Sequence, residues 1–468
     1  MTVRGTTSGP RESAVIRAPH DGSEVGVVEL AGPAEVRAAL DANVAAAGAC
    51  RALPAFDRAA ILRRVADGLA AARTDVARTL ALEAGKPIAQ ARVELDRAIF
   101  VFRDAAEEAT RIGGEVLPTD ALPVGAGRLA ITRRFPLSPV VGITPFNFPV
   151  LLAAHKIAPA MATGATITLK PPPQDPLTSL RLAEIVGASG YPAGGVNVVP
   201  CHVEVAQILI EDPRVRMITF TGSAKAGWAI RAKAGTKRVV LELGGNAAVI
   251  IEPDADLAWA ASRCAFGGFT YAGQSCISTQ RIFVHERAIQ PFLDLFLPAV
   301  RALHVGDVLD DATEVGPLIS LEAAERVERW IAEAVQGGAE VATGGTRRGP
   351  FIQPAVLLRT TPAMKVNCEE VFAPLVTVTP YRTLDEAIAW ANDSPYGLQA
   401  GVFSTNVHTL LRCHAELDVG AVNGNDVPGY RVDRLPYGGA KASGLGREGV
   451  RYAIEEMTDR KLLVLNLS

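Results

Sequence analysis

Between Arg128 and Glu252 the chain alternates short apolar runs with helical stretches, and no other feature narrows the fold as much. ATITLK (165–170) reads as a strand, SLRLAEIVGA as a helix, and GVNVVP and RMITFTG as two further strands. SAKAGWAIRAKA is a helix with Ser223 placed to cap its N-terminus, and RVVLEL and AAVIIE are strands again. Strands that stay apolar along their length, joined by short helices, predict a parallel sheet covered on both faces. The expected class is α/β.

The flanks are read the same way. Pro33 occupies a first helical position before AEVRAALDANVAAAGA. Asp57 to Ala84 and Ala89 to Glu108 continue with helical spacing, parted by Gly85 and Pro87. RLAITRRFPLSPVVGIT is strand-like between its prolines. A second alternating block follows: the strand RIFVHE, helices over Ile289–Leu303 and Leu321–Gln336, and strands near Ala355–Leu358 and Leu375–Pro380. LLVLNL (462–467) is a bare apolar strand. It is either an internal strand or an unpaired edge that invites a second chain, and the residues favour neither.

Length and charge bound the function classes. The 468 residues allow two or three domains. A net charge of -3 gives no electrostatic reason to expect nucleic acid or an anionic membrane as partner. Cys50, Cys201, Cys264, Cys276, Cys368 and Cys413 are scattered, with no C-x-x-C pair. That argues against a disulfide framework and against a zinc site, so reduced thiols in a cytoplasmic protein and no bound metal are expected. The opening MTVRGTTSGPRES lacks the apolar run of a secretory signal, and no segment is long enough to span a bilayer. GLGREG (444–449) matches the dinucleotide pattern G-x-G-x-x-G, but it follows the turn-like PYGGAKAS rather than a strand. Too little chain remains for a βαβ unit, so it reads as a Gly-rich structural turn.

Four segments carry chemistry together. ITPFNFP (143–149) is a Pro-bounded loop after a strand and holds Asn147. VLELGG (240–245) ends a strand with Glu242 before a Gly turn. AGQSCIS (272–278) places Cys276 in a polar, Gly-containing loop after a helix, and EEVFAP spans 369–374. A thiol in such a loop suits a nucleophile and a carboxylate at a strand end suits a base. Singly, Cys276 would more often be a small buried hydrophobe, Glu242 an ion-pair partner and Asn147 a turn residue.

Their joint occurrence carries more weight, because here the chain resembles the aldehyde dehydrogenase superfamily over nearly its whole length. PFNFP looks like that family's P-[WF]-N-[YFH]-P box, TITLKPPP its nucleotide-ribose segment and FTGSAKAG its cofactor turn. LELGGN looks like its glutamate box, GQSC its cysteine box, and EEVFAP and PYGGAKASGLGREG its C-terminal motifs. The resemblance implies that Cys276 attacks an aldehyde carbon, that the Asn147 amide and the Cys276 N–H hold the oxyanion, and that Glu242 activates water. It implies NAD or NADP as cofactor, held by Ile143, Thr144, Pro145, Lys170, Pro172, Pro173, Gly222, Ser223, Gly227, Leu243, Glu370 and Phe372. Pro173 stands where NAD-preferring members often carry a glutamate, so use of both cofactors is expected, with NAD slightly preferred.

The most similar branch is that of the lactaldehyde, non-phosphorylating glyceraldehyde-3-phosphate and phosphonoaldehyde dehydrogenases, on FRDAAEEATRIGGEVLP (102–118), LELGGNAAVI and NDVPGYRVDRLPYGG (425–439). That branch implies a small polar or anionic aldehyde. Arg103 is the expected anion anchor, weighed against a surface pairing with Glu107, while Arg431 is the weaker candidate and reads as structural. Phe148, Tyr271 and Ser275 are the other expected substrate contacts. A CoA-acylating enzyme of the same fold would not need Glu242, and a non-catalytic protein would not need the full set of catalytic residues. The implied domains are a doubly wound cofactor domain (1–112 and 134–243), an α/β catalytic domain (244–434) and a small β oligomerisation element (113–133 and 435–468). The last implies a homodimer or homotetramer.

Overall fold

The alternation after Arg128 builds a six-stranded sheet. Across it the strands run Gly444–Leu445, Arg238–Glu242, Met217–Thr221, Val140–Ile143, Ile167–Lys170 and Val196–Val198. The last five are parallel, and Gly444–Leu445 adds antiparallel against Glu242 and Leu241. Neighbouring side chains on one strand enter different cores. Val140, Ile167 and Leu169 pack on one side with helices that include Pro149–Thr163, while Val141, Ile218 and Leu241 pack on the other with Pro33–Ala52 and Val203–Glu211. The order is that of a doubly wound sheet. Chain direction across it reverses at Val140–Ile143, so the loops after Ile143 and Thr221 open a crevice at the strands' C-terminal ends.

The structure, a computed structural model, describes residues 12–467. Residues 1–11, on which most of the expectation about a secretory signal rests, lie outside it. The first described elements are not helical: Ser13–Arg17 and Glu24–Glu29 form an antiparallel hairpin. The helix beginning at Pro33 is present, and the helix read over Asp57–Ala84 is two, Ala55–Ala71 and Arg73–Ala84, broken at Ala72. Ile88–Ala109 follows after Gly85, whose φ of +63° ends the preceding helix as Gly alone does cheaply.

A seven-stranded sheet forms the second layer. Its order is Glu340–Thr343, Ala355–Leu358, Leu375–Tyr381, Thr279–His285, Ala247–Ile251, Gln399–Phe403 and Ala421–Gly424, parallel throughout except for the first strand. A third sheet is antiparallel and pairs Thr458–Asn466 with Arg128–Pro136, which pairs in turn with Gly114–Leu117. Thr458–Asn466 is an edge strand, and Leu462, Leu463, Val464 and Leu465 on it are all exposed. No helix among the described residues is long and apolar enough to cross a membrane.

Candidate active site

The loop after Ile143 turns at Pro145 and re-enters helix at Pro149, which leaves Asn147 buried between the two sheets' ends. Its side-chain Nδ2 donates to the Gln274 carbonyl at 3.0 Å, and its Oδ1 has no hydrogen-bond partner. Its own carbonyl accepts from Lys86 Nζ at 2.6 Å. Lys86 is fully buried and paired with Glu94, whose other oxygen accepts from the Val150 and Leu151 N–H groups at 3.1 Å each. Those amides are free donors of a helix start, so one carboxylate caps the helix and anchors the lysine that fixes the Asn147 loop.

Glu242 ends its strand with neither carboxylate oxygen hydrogen-bonded. Burial first, and then the neighbouring Glu448 charge, raise its pKa well above the ordinary carboxylate range. Glu448 goes the other way. Burial alone would raise it, but Lys156 at 3.0 Å, then His155 and Arg431, bring it down to about 2. The two acids lie in one buried network with opposite shifts, the arrangement that separates an ionised partner from a proton-exchanging one.

Cys276 is reached through a constrained segment. Tyr271, Ala272 and Gly273 all have positive φ, at 51°, 52° and 68°. Two non-glycine residues in that region carry strain that the surroundings must hold. At Gly273 a Cβ would lie 2.2 Å from the Ala373 carbonyl oxygen, so only glycine fits. Gly245 likewise approaches the Cys276 carbonyl so closely that a Cβ would sit 2.3 Å from it, which sets the Glu242 turn against the cysteine loop. Burial pushes the Cys276 thiol up to about 12, against a hydrogen bond to Tyr437 and the Arg431 charge. The resting group near neutral pH is therefore the protonated thiol.

Asn147, Glu242 and Cys276 share the lining of one cavity of about 520 Å³, with Phe148, Tyr271 and Ser275 on the same wall. Its floor is charged. Arg431 is buried, stacks on the Tyr437 ring at 3.7 Å, meets His155 Nε2 at 3.2 Å through Nη2, and reaches Glu448 and Asp433 at 3.5 Å. Asp433 is already engaged by Arg97 at 2.8 and 2.9 Å and by His155 at 3.0 Å. Arg431 Nε has no hydrogen bond at all. Arg431, Arg97 and Glu448 line the cavity here, and Asp433 and Lys156, which do not line it, pair with them.

The other end of the cavity fits a dinucleotide. Gly222 and Ser223 line it where the helix Ala224–Lys233 begins, with Ser223 Oγ accepting from Ala226 N–H as its cap. A helix start of this kind receives phosphate. Glu370 lies against Gly244, accepts from Gly245 N–H at 2.9 Å, and is raised by burial to about 7. Phe372 and Leu243 join that wall. Lys170 is buried at the C-terminal end of its strand, where Ile143 pairs with it and Thr144 N–H donates to its carbonyl at 3.2 Å. Pro172 is buried and Pro173 exposed just beyond it. Gly227 does not face the cavity; a Cβ there would meet Leu243 at 2.3 Å, so its role is close packing of helix on strand end.

Of the expected substrate contacts, Arg103 is the one not brought to the cavity. Arg103 lies on the outer face of Ile88–Ala109, 58% exposed, with Asp67 at 3.8 Å as its ion-pair partner. That position lies off the cavity, and its ion-pair partner is Asp67 rather than Glu107. Arg431, read as structural, lines the cavity, as do Arg97 and Arg326. GLGREG is also more than a turn: its first residues add a strand beside Glu242 and it delivers Glu448. Tyr437, His155, Lys156, Lys86 and Arg97 were not singled out from the sequence. For Tyr437 and Glu448 the signal was present, since both lie inside PYGGAKASGLGREG.

The aldehyde dehydrogenase family model matches residues 6–463. The 3-sulfolactaldehyde dehydrogenase of Priestia aryabhattai is 43% identical over 432 residues, 91% of each chain. Aldehyde dehydrogenase 21 of Physcomitrella patens, solved in complex with the reaction product succinate, superposes with a TM-score of 0.97. It is 40% identical, covering 98% of this chain and 96% of that one. The glyceraldehyde-3-phosphate dehydrogenase GapN of Methanocaldococcus jannaschii, complexed with NADP, gives 0.94 at 37% identity, covering 98% of this chain and 99% of that one.

Proposed function

The chain belongs to the aldehyde dehydrogenase family, and from that premise we propose that it oxidises a small aldehyde carrying a terminal anion, with Arg431 receiving the anion. It is an NAD(P)-dependent enzyme acting on small polar or anionic aldehydes. The observation that supports the finer reading is the buried Arg431, whose Nε makes no hydrogen bond and lies 3.5 Å from Asp433, on the cavity that Cys276 also lines. A guanidinium takes a carboxylate, sulfonate or phosphonate through paired hydrogen bonds. The relatives agree in kind: one is named for a sulfonated aldehyde and one was solved with the dicarboxylate succinate.

In this reading the anion seated on Arg431 directs the carbonyl toward Cys276. Sγ attacks the carbon, its proton passing to solvent, and the oxygen becomes an alkoxide held by Asn147 Nδ2 and the Cys276 N–H. Lys86 and Glu94 keep the Asn147 loop fixed, so that donor need not reorganise. Gly222, Ser223, Leu243, Glu370 and Phe372, with Lys170 toward the ribose, would hold the cofactor, whose nicotinamide would supply the hydride acceptor needed to turn the hemithioacetal into a thioester. Glu242 then takes a proton from water, which attacks the thioester carbon, releasing the acid and restoring the thiol. A carboxyl raised by burial is a stronger base than an ordinary one, and the adjoining Glu448–Lys156 pair offers the proton a polar neighbour.

The division into a cofactor domain (1–112, 134–243), a catalytic domain (244–434) and an oligomerisation element (113–133, 435–468) is part of this proposal, as are a cytoplasmic location, on six free cysteines, and a homodimer or homotetramer. The last rests on the exposed apolar edge strand Thr458–Asn466, whose free edge can extend a second copy's sheet. Light scattering on the eluting protein is expected to give twice or four times the 49.2 kDa chain mass; a monomer contradicts it.

Arg431→Met tests the substrate class. The kcat/KM for succinic semialdehyde or 3-sulfolactaldehyde, divided by that for propanal, is expected to fall about 10- to 100-fold, the worth of a hydrogen-bonded charge. Arg103→Ala should leave that ratio unchanged. Equal losses on charged and neutral aldehydes in Arg431→Met would remove the anion seat.

A further inference from the structure

Cys276 Sγ has a partner that the mechanism above does not use. Tyr437 Oη lies 2.9 Å from it, and among the described residues this is the only hydrogen bond the phenol makes. The ring is held from two sides. Its own backbone exchanges hydrogen bonds with Glu448, N–H to carbonyl at 3.0 Å and the reverse at 2.7 Å, while the Arg431 guanidinium covers its face at 3.7 Å. Ile277 and Leu398 pack around it with Cys276. The hydroxyl therefore has one place to aim, and burial first, then the Cys276 thiolate, push its pKa well above the ordinary value of 10.

We propose that Tyr437 is a further catalytic residue, donating its hydroxyl to Sγ and stabilising the thiolate that attacks. A neutral thiol can either donate to or accept from a phenol, so the bond does not discriminate at rest. A thiolate can only accept, and a bond to the charged form favours that form. Tyr437 transfers no proton; it lowers the cost of the state in which the thiol proton has gone. The groups facing the sulfur are Tyr437, Arg431 and Glu370 with Glu242, the first two favouring the thiolate and the two acids opposing it. Arg431 thus acts on the thiol twice, by its charge and by clamping the ring that carries the donor.

The inference rests on Cys276 being the nucleophile, and its test is chosen to fail separately from that reading. Wild type and Tyr437→Phe are alkylated with iodoacetamide between pH 7 and 9, and the Cys276 peptide is followed by mass spectrometry. The Sγ–C bond forms as C–I breaks and iodide leaves, the thiol proton having passed to solvent. Loss of the donor raises the thiol pKa, so at any pH below both values less thiolate is present. For a shift of about one unit the thiolate falls roughly tenfold, and the greater nucleophilicity of a more basic thiolate returns part of it, leaving the rate about three- to fourfold lower. A purely space-filling Tyr437 predicts the opposite sign, because Phe opens room beside the sulfur. A melting temperature matching wild type certifies the fold, and Tyr437→Leu, which also loses the donor, should show the same direction. Equal or faster alkylation in both variants overturns the role of Tyr437 alone; oxidation of aldehydes retained by Cys276→Ala overturns the reading beneath it.

Discussion

Cys276→Ala is expected to lower kcat for aldehyde oxidation by at least roughly 10⁴-fold, a loss of about 5 kcal/mol or more in transition-state stabilisation. The size follows from what disappears. Without sulfur there is no covalent intermediate, and Asn147, on the loop that Lys86 and Glu94 fix, would await an oxyanion that never forms. Cofactor binding should survive, because Gly222, Ser223 and Glu370 are left in place and none of them depends on the sulfur for its position. A fluorescence titration with NADPH giving an unchanged Kd, beside the lost turnover, separates a chemical defect from a folding defect. The side chain is half-buried, so its removal leaves little cavity and stability should change by less than about 1 kcal/mol. Turnover within tenfold of wild type would mean that another group is the nucleophile.

Glu242→Gln should separate the two halves of the reaction. The carboxylate has no hydrogen bond to lose, so the amide is accommodated without breaking a network. Formation of the thioester does not require the base that attacks it with water. Rapid mixing is expected to give a burst of about one NAD(P)H per active site, followed by turnover slowed about 10³-fold, within the range of a general base. In wild type, a carboxyl raised by burial and by Glu448 makes deacylation depend on pH: it is fast above the raised pKa, where Glu242 is ionised, and falls as pH drops through it. The variant should lose that dependence. A slow phase with no burst would place Glu242 before hydride transfer instead.

Periodicity and turn chemistry carried most of the architecture. Apolar strands with helices between them could only be a covered parallel sheet, and the site loops at strand ends followed from it. The N-terminal hairpin was missed although Asp21–Gly22 at its turn, with Gly22 at φ +74°, is a hairpin signature. The break at Ala72 carries no glycine or proline, so nothing in the local pattern announces it. The exchange of Arg103 for Arg431 shows where one-dimensional reading ends. Arg97 and Arg103 share one helix, but at about 100° per residue they are about 120° apart around it. Arg97 meets buried Asp433 while Arg103 meets solvent. Arg431 lies in a loop without any period, and only the packing of that loop over Tyr437 puts its guanidinium on the cavity floor. The Lys156–Glu448 pair joins residues 292 positions apart, a contact no spacing rule can supply.

The most direct test of the covalent route is to quench Glu242→Gln in acid after mixing with NAD and succinic semialdehyde, then map the modified peptide by mass spectrometry. An acyl group on Cys276, heavier than the free thiol by the aldehyde less two hydrogen atoms and absent when the cofactor is withheld, is the expected result. An unmodified Cys276 in enzyme that has already produced its burst of NADH, or an acyl group carried by a different side chain, would contradict it.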